Sequence, residues 1–79
     1  MRRYSAVLQP EPEGAFTVTV PILPGCISVG ESVEEALENV RDAIHLFLAS
    51  LAEHGEEIPE EVAPAQLAVV EVLAIHVPP

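Results

Sequence analysis

The chain has 79 residues, a formal net charge of −10 and only three Lys or Arg residues. Binding to nucleic acid requires clustered Lys and Arg to neutralise phosphates, so this charge balance argues against it and favours a basic partner. The plainer alternative is that the acidity only keeps a small domain soluble. A chain of this length is expected to form one domain over 1–79 and to bury only about 60% of the surface that its unfolded form exposes.

Apolar residues make up 49% of the chain and Trp is absent, so aliphatic side chains must form the core. Some of the apolar excess is expected on a surface that a second subunit covers. A single cysteine, Cys26, cannot form an internal disulfide, which fits the cytoplasm. The first apolar run ends at Leu8, and no run approaches the roughly 18 residues of a membrane span. We therefore expect a cytoplasmic protein with no membrane segment.

Apolar residues alternate in "RYSAVLQ" and in "AFTVTV", which predicts two strands that each have one apolar face. The intervening "PEPEG" has the composition of a turn, and Gly14 can adopt a positive φ, so a hairpin is expected. Cys26 to Val29 would add a short third strand. Because Pro21 and Pro24 cannot donate ladder hydrogen bonds, we expect the sheet to be interrupted near them.

The segment "GESVEEALENVRDAIHLFLASLAEHG" has helical periodicity, since its apolar residues recur at steps of three and four. Ser32 is the predicted N-cap, and Glu35 three residues later completes a capping box. Gly55 provides a C-terminal stop. These features predict one helix whose apolar stripe packs on the apolar face of the hairpin.

The segment "LAVVEVLAIHV", residues 67–77, is rich in β-branched residues and predicts a final strand. It is apolar on both faces, whereas one helix covers only one face of a sheet. We therefore expect this strand to be central in the sheet or to lie at a subunit contact of a dimer or a dimer of dimers. The alternative is that the connector "EEIPEEVAPAQ" folds back over the second face. The candidate contact residues are Val69, Leu73, Ile75 and Val77.

The sequence lacks the residue patterns typical of catalytic or metal-binding sites. His45 and His54 are nine residues apart, which is not the spacing that places two ligands on one helical face, and His76 belongs to another segment. Cys26 has no neighbouring cation or base to activate it, so a packing role is expected. The glycines at 25 and 30 do not form a phosphate-binding loop, and the first three predicted strands lack the carboxylates of a metal-dependent nuclease. The sequence predicts neither an enzyme nor a cofactor.

The stretch from "EPEG" through "VPILPGC" to "GESVEEALENVRDAI" closely resembles the N-terminal domain of HicB-type antitoxins. The matching features are Glu13-Gly14 followed by an aromatic residue, the pattern "V-P-x-L-P-G-C", and Gly30-Glu31-Ser32 followed by Glu35-Ala36. The resemblance continues to "G-x-x-I-P" at 55–59 and spans residues 4–60.

This resemblance implies an α+β fold with the order β-β-β-α-β, in which one helix packs on one face of an antiparallel sheet. The fold is described as a partly degenerate relative of the ribonuclease H fold that lacks the catalytic carboxylates. Within it, the loop before the third strand and the start of the helix form a structural motif. Its residues here are Pro21, Pro24, Gly25, Cys26, Gly30, Ser32 and Glu35.

The resemblance also implies a function as antitoxin of a type II toxin–antitoxin system. Such a protein binds and neutralises a small basic mRNA-cleaving toxin of the HicA type. An acidic scaffold without catalytic groups agrees with that role, because opposite charges favour association. The candidate partner-binding residues are Glu11, Glu13, Ile22 and Leu23.

Two departures from the family pattern narrow these expectations. Family members often continue into a DNA-binding domain, whereas this sequence stops after "HVPP", so we expect no direct binding to DNA. Ile22 occupies a position that is usually acidic in the family. The alternative function is an orphan oligomeric scaffold that binds another protein or a small ligand, and a neighbouring gene for a small basic toxin would distinguish the two.

Overall fold

Three strands followed by one helix make up the fold in the computed structural model of the protein, which describes residues 2–74. β1 spans Val7–Pro10, β2 spans Phe16–Thr19, β3 spans Ile27–Gly30, and α1 spans Val33–Glu53. Both strand pairs are antiparallel, and the sheet order is β1-β2-β3. The predicted α+β class, with an antiparallel sheet and one helix on one of its faces, is confirmed.

The helix begins at Ser32, whose extended backbone (φ −141°, ψ 167°) is that of an N-cap. Its hydroxyl oxygen accepts a hydrogen bond of 3.1 Å from the Glu35 amide. The Glu35 carboxylate reaches back to the amide of Glu31, at 2.9 Å, which is one residue before the N-cap. Two amides at the helix start are thereby satisfied, and the acidic residues of the first turn favour the positive end of the helix dipole.

The helix ends in a Schellman motif. Gly55 has a φ of 68°, and its amide donates to the Ala52 carbonyl at 3.1 Å. The next amide, that of Glu56, donates to the Leu51 carbonyl at 2.9 Å. These two bonds satisfy carbonyls that the end of a helix leaves free, and the left-handed backbone at Gly55 turns the chain away from the helix axis.

Packing of α1 on the sheet is closest at Gly30. A Cβ at this position would lie 2.6 Å from the Ala36 Cα and closer still to the Ala36 nitrogen. Ala36 and Val40 are the buried residues of α1, and the helix lies over β2 and β3 while making little contact with β1. The small residues at this crossing therefore fix the helix on the β3 side of the sheet.

The loop between β2 and β3 contributes to the core. The Leu23 amide donates to the Val20 carbonyl at 3.0 Å, and the Cys26 amide donates to the Leu23 carbonyl at 2.9 Å. Gly25 permits this second turn with a φ of 90°. Leu23 is fully buried and Cys26 nearly so. Two successive turns thus fold the loop inward and place one of its aliphatic side chains under the helix.

After α1, the chain returns along the segment that precedes β1. The Tyr4 hydroxyl donates to the Pro59 carbonyl at 2.7 Å. The Ser5 amide donates to Glu61 Oε1 at 2.9 Å, and the Ser5 hydroxyl bonds the other oxygen of that carboxylate. The Ala65 amide then donates to Ser5 Oγ at 3.1 Å. The connector, residues 56–66, is therefore fastened to the N-terminal segment.

The predicted final strand is not formed over residues 67–74, which carry no regular secondary structure. This part of the prediction was wrong for the described residues, and 75–77 lie outside them. The reason is that strand propensity alone does not supply a hydrogen-bonding neighbour, and residues 67–74 pair with no strand in the described part of the chain. Their large apolar side chains are 79–91% exposed, and the molecule measures 51 Å along one axis against 27 and 25 Å along the others.

Candidate protein-interaction surfaces

One face of the sheet is not covered by the helix. Because side chains alternate along a strand and Gly30 faces α1, its neighbour Val29 points away from the helix. Ile27 and Val29 are 55% and 54% exposed. The strand register places four further side chains on this surface, which we call the outer sheet face. Its members are Val7, Gln9, Thr17, Thr19, Ile27 and Val29.

Carboxylates gather at one end of the outer sheet face. The turn between β1 and β2 carries Glu11 and Glu13, and Phe16 at the start of β2 pairs with Gly30 at the end of β3. Glu31 and the first turn of α1, with Glu34 and Glu35, follow directly. The Thr17 hydroxyl donates to Glu11 Oε1 at 2.8 Å, which holds that carboxylate against the face.

The four candidate partner-binding residues are divided between opposite ends of β2. Glu11 and Glu13 precede this strand and Ile22 and Leu23 follow it, so they are separated by its four residues, about 13 Å. Leu23 has no exposed surface, because the two turns of its loop place it in the core. Its side chain is not available to a partner in this structure, and that part of the prediction needs correction. Glu13 is exposed, and Ile22 is half-buried against the core.

In the loop between β2 and β3, the residues of the predicted structural motif have structural roles. Pro21 and Pro24 are exposed at its surface, and Gly25 supplies the positive φ that its second turn requires. Burial raises the pKa of the Cys26 thiol, so the thiolate that would act as a nucleophile is disfavoured at neutral pH. The geometry favours packing over reactivity at this cysteine.

Groups for catalysis or metal binding are sparse in the described part of the chain. Within it, no three His, Cys, Asp or Glu side chains are arranged to hold a metal ion. His54 is the C-cap of α1, and its Nδ1 lies 2.7 Å from the Ser50 carbonyl. His45 is exposed on the helix, and His76 lies outside the described residues. Within residues 2–74, no helix combines the length and the apolar character that crossing a membrane requires.

Glu61 is the described carboxylate whose pKa shows a resolved shift. Hydrogen bonds from the Ser5 hydroxyl, and next from the Ser5 amide, lower the pKa of Glu61, and they outweigh the opposing effect of desolvation. The Ala65 amide contributes in the same direction. Near Glu61, Arg2 lies 3.6 Å from Glu60 in an exposed ion pair. The ionised form of Glu61 is thus the form that holds the connector in place.

Of the four candidate oligomer contacts, the structure describes two. Val69 and Leu73 are 91% and 87% exposed, so both are available to a partner. Ile75 and Val77 lie outside the described residues. Sequence reasoning did not single out Thr17, Ser5 or Glu61, because each acts through a side-chain hydrogen bond that follows no periodic pattern.

Comparison with known proteins gives concordant results. The family model described as the HicB-like antitoxin of bacterial toxin-antitoxin systems matches residues 4–72. A UPF0150 protein of Thermoplasma acidophilum is 38% identical over 61 residues, which covers 77% of this chain and 88% of that protein. Antitoxin HicB of Escherichia coli K12 is 37% identical over 57 residues, covering 72% of this chain but only 41% of the antitoxin.

Among solved structures, the chain is similar to the N-terminal domain of Burkholderia pseudomallei antitoxin HicB. The TM-score is 0.67 at 30% sequence identity, with 80% of this chain and 72% of that domain covered. Against the structure of the whole Burkholderia antitoxin the TM-score is 0.68, and the match covers 84% of this chain and 48% of the antitoxin. The chain thus spans about half the length of that antitoxin.

Proposed function

Because the chain belongs to the HicB-like antitoxin family of bacterial toxin-antitoxin systems, we propose that it binds and neutralises a small basic mRNA-cleaving toxin of the HicA type. The match of the family model over residues 4–72 is the observation that carries this proposal. In this function the chain is a cytoplasmic binding protein and not an enzyme. It acts by covering the active site of the toxin.

The outer sheet face is the proposed surface for the toxin. It presents the exposed aliphatic side chains of Ile27 and Val29. At one end it is bordered by the carboxylates of the turn between β1 and β2 and by those at the start of α1. An apolar centre with a charged border is typical of protein interfaces. The net charge of −10 favours fast association with a basic partner and makes the association rate sensitive to salt. Glu11, Glu13 and Ile22 remain proposed contacts.

Co-expression tests the function itself. The chain is expressed together with a small basic protein encoded beside it, and growth and mRNA integrity are measured. Neutralisation predicts restored growth, intact mRNA and a complex on size-exclusion chromatography. Unchanged toxicity without a complex would rule out this role.

Two charge-introducing substitutions test the surface. Ile27→Lys and Val29→Lys place a positive charge on the outer sheet face, and each is expected to weaken toxin binding by about tenfold or more, as at interface hot spots. Leu46→Lys is the matched control, because Leu46 is 74% exposed and lies on the helix, away from that face. Binding constants from calorimetry should separate the first two variants from the third. Equal weakening by all three would contradict the assignment of this face.

A further inference from the structure

The Glu11 carboxylate is held in place at the border of the outer sheet face. The backbone amide of Glu11 donates to the Ala15 carbonyl at 2.8 Å, and its carbonyl accepts from the Gly14 amide at 2.9 Å. The Thr17 hydroxyl donates to Oε1 of its side chain at 2.8 Å, and the residue is half-buried. Backbone and side chain are thus both fixed before any partner binds. A side chain that is already ordered loses less rotamer entropy on binding.

Thr17 lies at the centre of the outer sheet face, on the middle strand β2 and opposite Val29 of β3. The Val20 amide donates to the Cys26 carbonyl at 3.1 Å, which makes that pair a hydrogen-bonded one. Bonded pairs alternate along an antiparallel ladder, so Thr17 and Val29 form a non-bonded pair, whose side chains lie close together. Val29 is 54% exposed. The Thr17 hydroxyl therefore holds the Glu11 carboxylate beside exposed aliphatic surface.

A fixed carboxylate beside aliphatic surface suits the side chain of arginine. Within residues 2–74, the Glu11 carboxylate accepts one hydrogen bond, from Thr17, whereas a carboxylate has about four acceptor positions. Two parallel N–H donors can therefore still bind its oxygens. A guanidinium presents such a fork, while the ammonium of lysine is a single point charge. The methylene groups of an arginine stem can pack on Val29 while the charged end binds the carboxylate.

We propose that Glu11, positioned by Thr17, binds an arginine of the basic toxin, and that the stem of this arginine packs on Val29. The inference rests on the proposed function and names the chemical group that the outer sheet face recognises. The net charge of −10 favours a cationic occupant and opposes a second copy of this acidic chain at this place. Thr17 does not itself bind the guanidinium and is a positioning residue, because it acts through Glu11.

The kinetics of toxin binding test the positioning role. The small basic protein encoded beside this chain is immobilised, and the intact chain and its variants are passed over it in surface plasmon resonance. Glu11→Gln removes the charge, and Thr17→Val removes the hydroxyl at nearly the same shape. The first is expected to raise the dissociation rate about tenfold and the second about fivefold, as for hydrogen bonds to charged groups. Thr17→Ser keeps the hydroxyl and should restore the natural rate.

Glu13→Gln is the matched control, because Glu13 lies in the same turn, is exposed and carries the same charge. It should slow association slightly and leave dissociation unchanged, since a charge at the border of an interface acts mainly on the encounter. Thr17→Val should add nothing in a Glu11→Gln chain, because its effect passes through that carboxylate. Unchanged dissociation in Glu11→Gln, or effects of the two substitutions that add, overturns the proposal. So does a Thr17→Val variant that loses stability in urea but dissociates at the natural rate.

A peptide titration tests the arginine preference without the toxin. The labelled chain is titrated with hexa-arginine and with hexa-lysine, which carry equal charge, and amide signals are followed by nuclear magnetic resonance. Hexa-arginine is expected to shift the signals of Glu11, Thr17 and Val29 at lower concentration than hexa-lysine does, and Thr17→Val should abolish this difference. Equal shifts by the two peptides overturn the proposal. A preference for arginine in a chain that does not bind the toxin would contradict the proposed function and support the arginine site.

Discussion

At the β3 edge, Asn39 donates its amide to the Val29 carbonyl and α1 lies over the strand, whereas within residues 2–74 no side-chain hydrogen bond guards the β1 edge and α1 makes little contact with β1. An unpaired strand edge is a template for another strand unless a side chain or a covering element blocks it. The same three-stranded sheet thus has one protected edge and one receptive edge. The difference arises from where α1 crosses the sheet, and Gly30 decides that crossing.

The largest expected effect on this asymmetry comes from Gly30→Ala. The added Cβ would meet the backbone of Ala36, which cannot move without shifting the helix, so we expect a loss of about 3 kcal/mol in the free energy of unfolding. Gly55→Ala is the matched control. Its Cβ would meet nothing within 4 Å, and only its φ of 68° opposes the substitution, at about 1 kcal/mol. Urea unfolding measures both, and equal losses would show that Gly30 does not set the crossing.

Asn39→Ala removes the guard of the β3 edge and has a smaller effect. The Val29 carbonyl loses a hydrogen bond that is exposed to solvent, so about 1 kcal/mol of stability should be lost. Exchange of the β3 amides that bond to β2, those of Ser28 and Gly30, should become faster, while exchange at Val7 and Gln9 of β1 stays the same. Asn39→Gln is the control, because it keeps the amide group but carries it on a side chain that is one methylene longer. Unchanged exchange at both edges would contradict the guarding role.

The smallest effect is expected at Glu61, which fastens the connector near the β1 edge. Its pKa is lowered in the folded chain, so the contact is fully present above the unfolded value of about 4.3 and is lost as the pH falls through the folded pKa. The amide signals of Ser5 and Ala65 in nuclear magnetic resonance spectra should move in this acidic range. Glu61→Gln should abolish that titration and leave the stability of the sheet and helix unchanged. A titration of both signals that persists in Glu61→Gln would exclude this carboxylate as its source.

Local rules predicted the parts of the fold that depend on neighbours in sequence. Ser32 begins the helix and Gly55 follows its end, because caps depend on a few adjacent residues. The structure of residues 67–74 could not be predicted in this way. A strand requires a second strand to pair with, and the local sequence pattern does not indicate which one that is. Residues 67–74 have strand propensity, but within residues 2–74 they pair with no strand.

The candidate surface was predicted only in part, because strand pairing brings together residues that are far apart in the sequence. Glu11 and Glu13 were chosen from the sequence, but the pairing of Phe16 with Gly30 is what brings them to the same end as Glu31. Leu23 is a predicted partner contact and lies in a loop rich in proline and glycine. Two backbone turns direct it into the core instead, and the spacing of apolar residues in a loop carries no signal of that direction.

The hydrogen bond from the Tyr4 hydroxyl to the Pro59 carbonyl has a consequence for spectroscopy. Tyr4 is the only tyrosine, and the chain contains no tryptophan, so this one phenol ring supplies nearly all of the intrinsic fluorescence. Its hydroxyl lies at the junction of the N-terminal segment and the connector. Fluorescence will therefore follow the release of the connector, whereas circular dichroism will follow the melting of α1. A mismatch between the two signals on heating would mean that the connector detaches before the fold is lost.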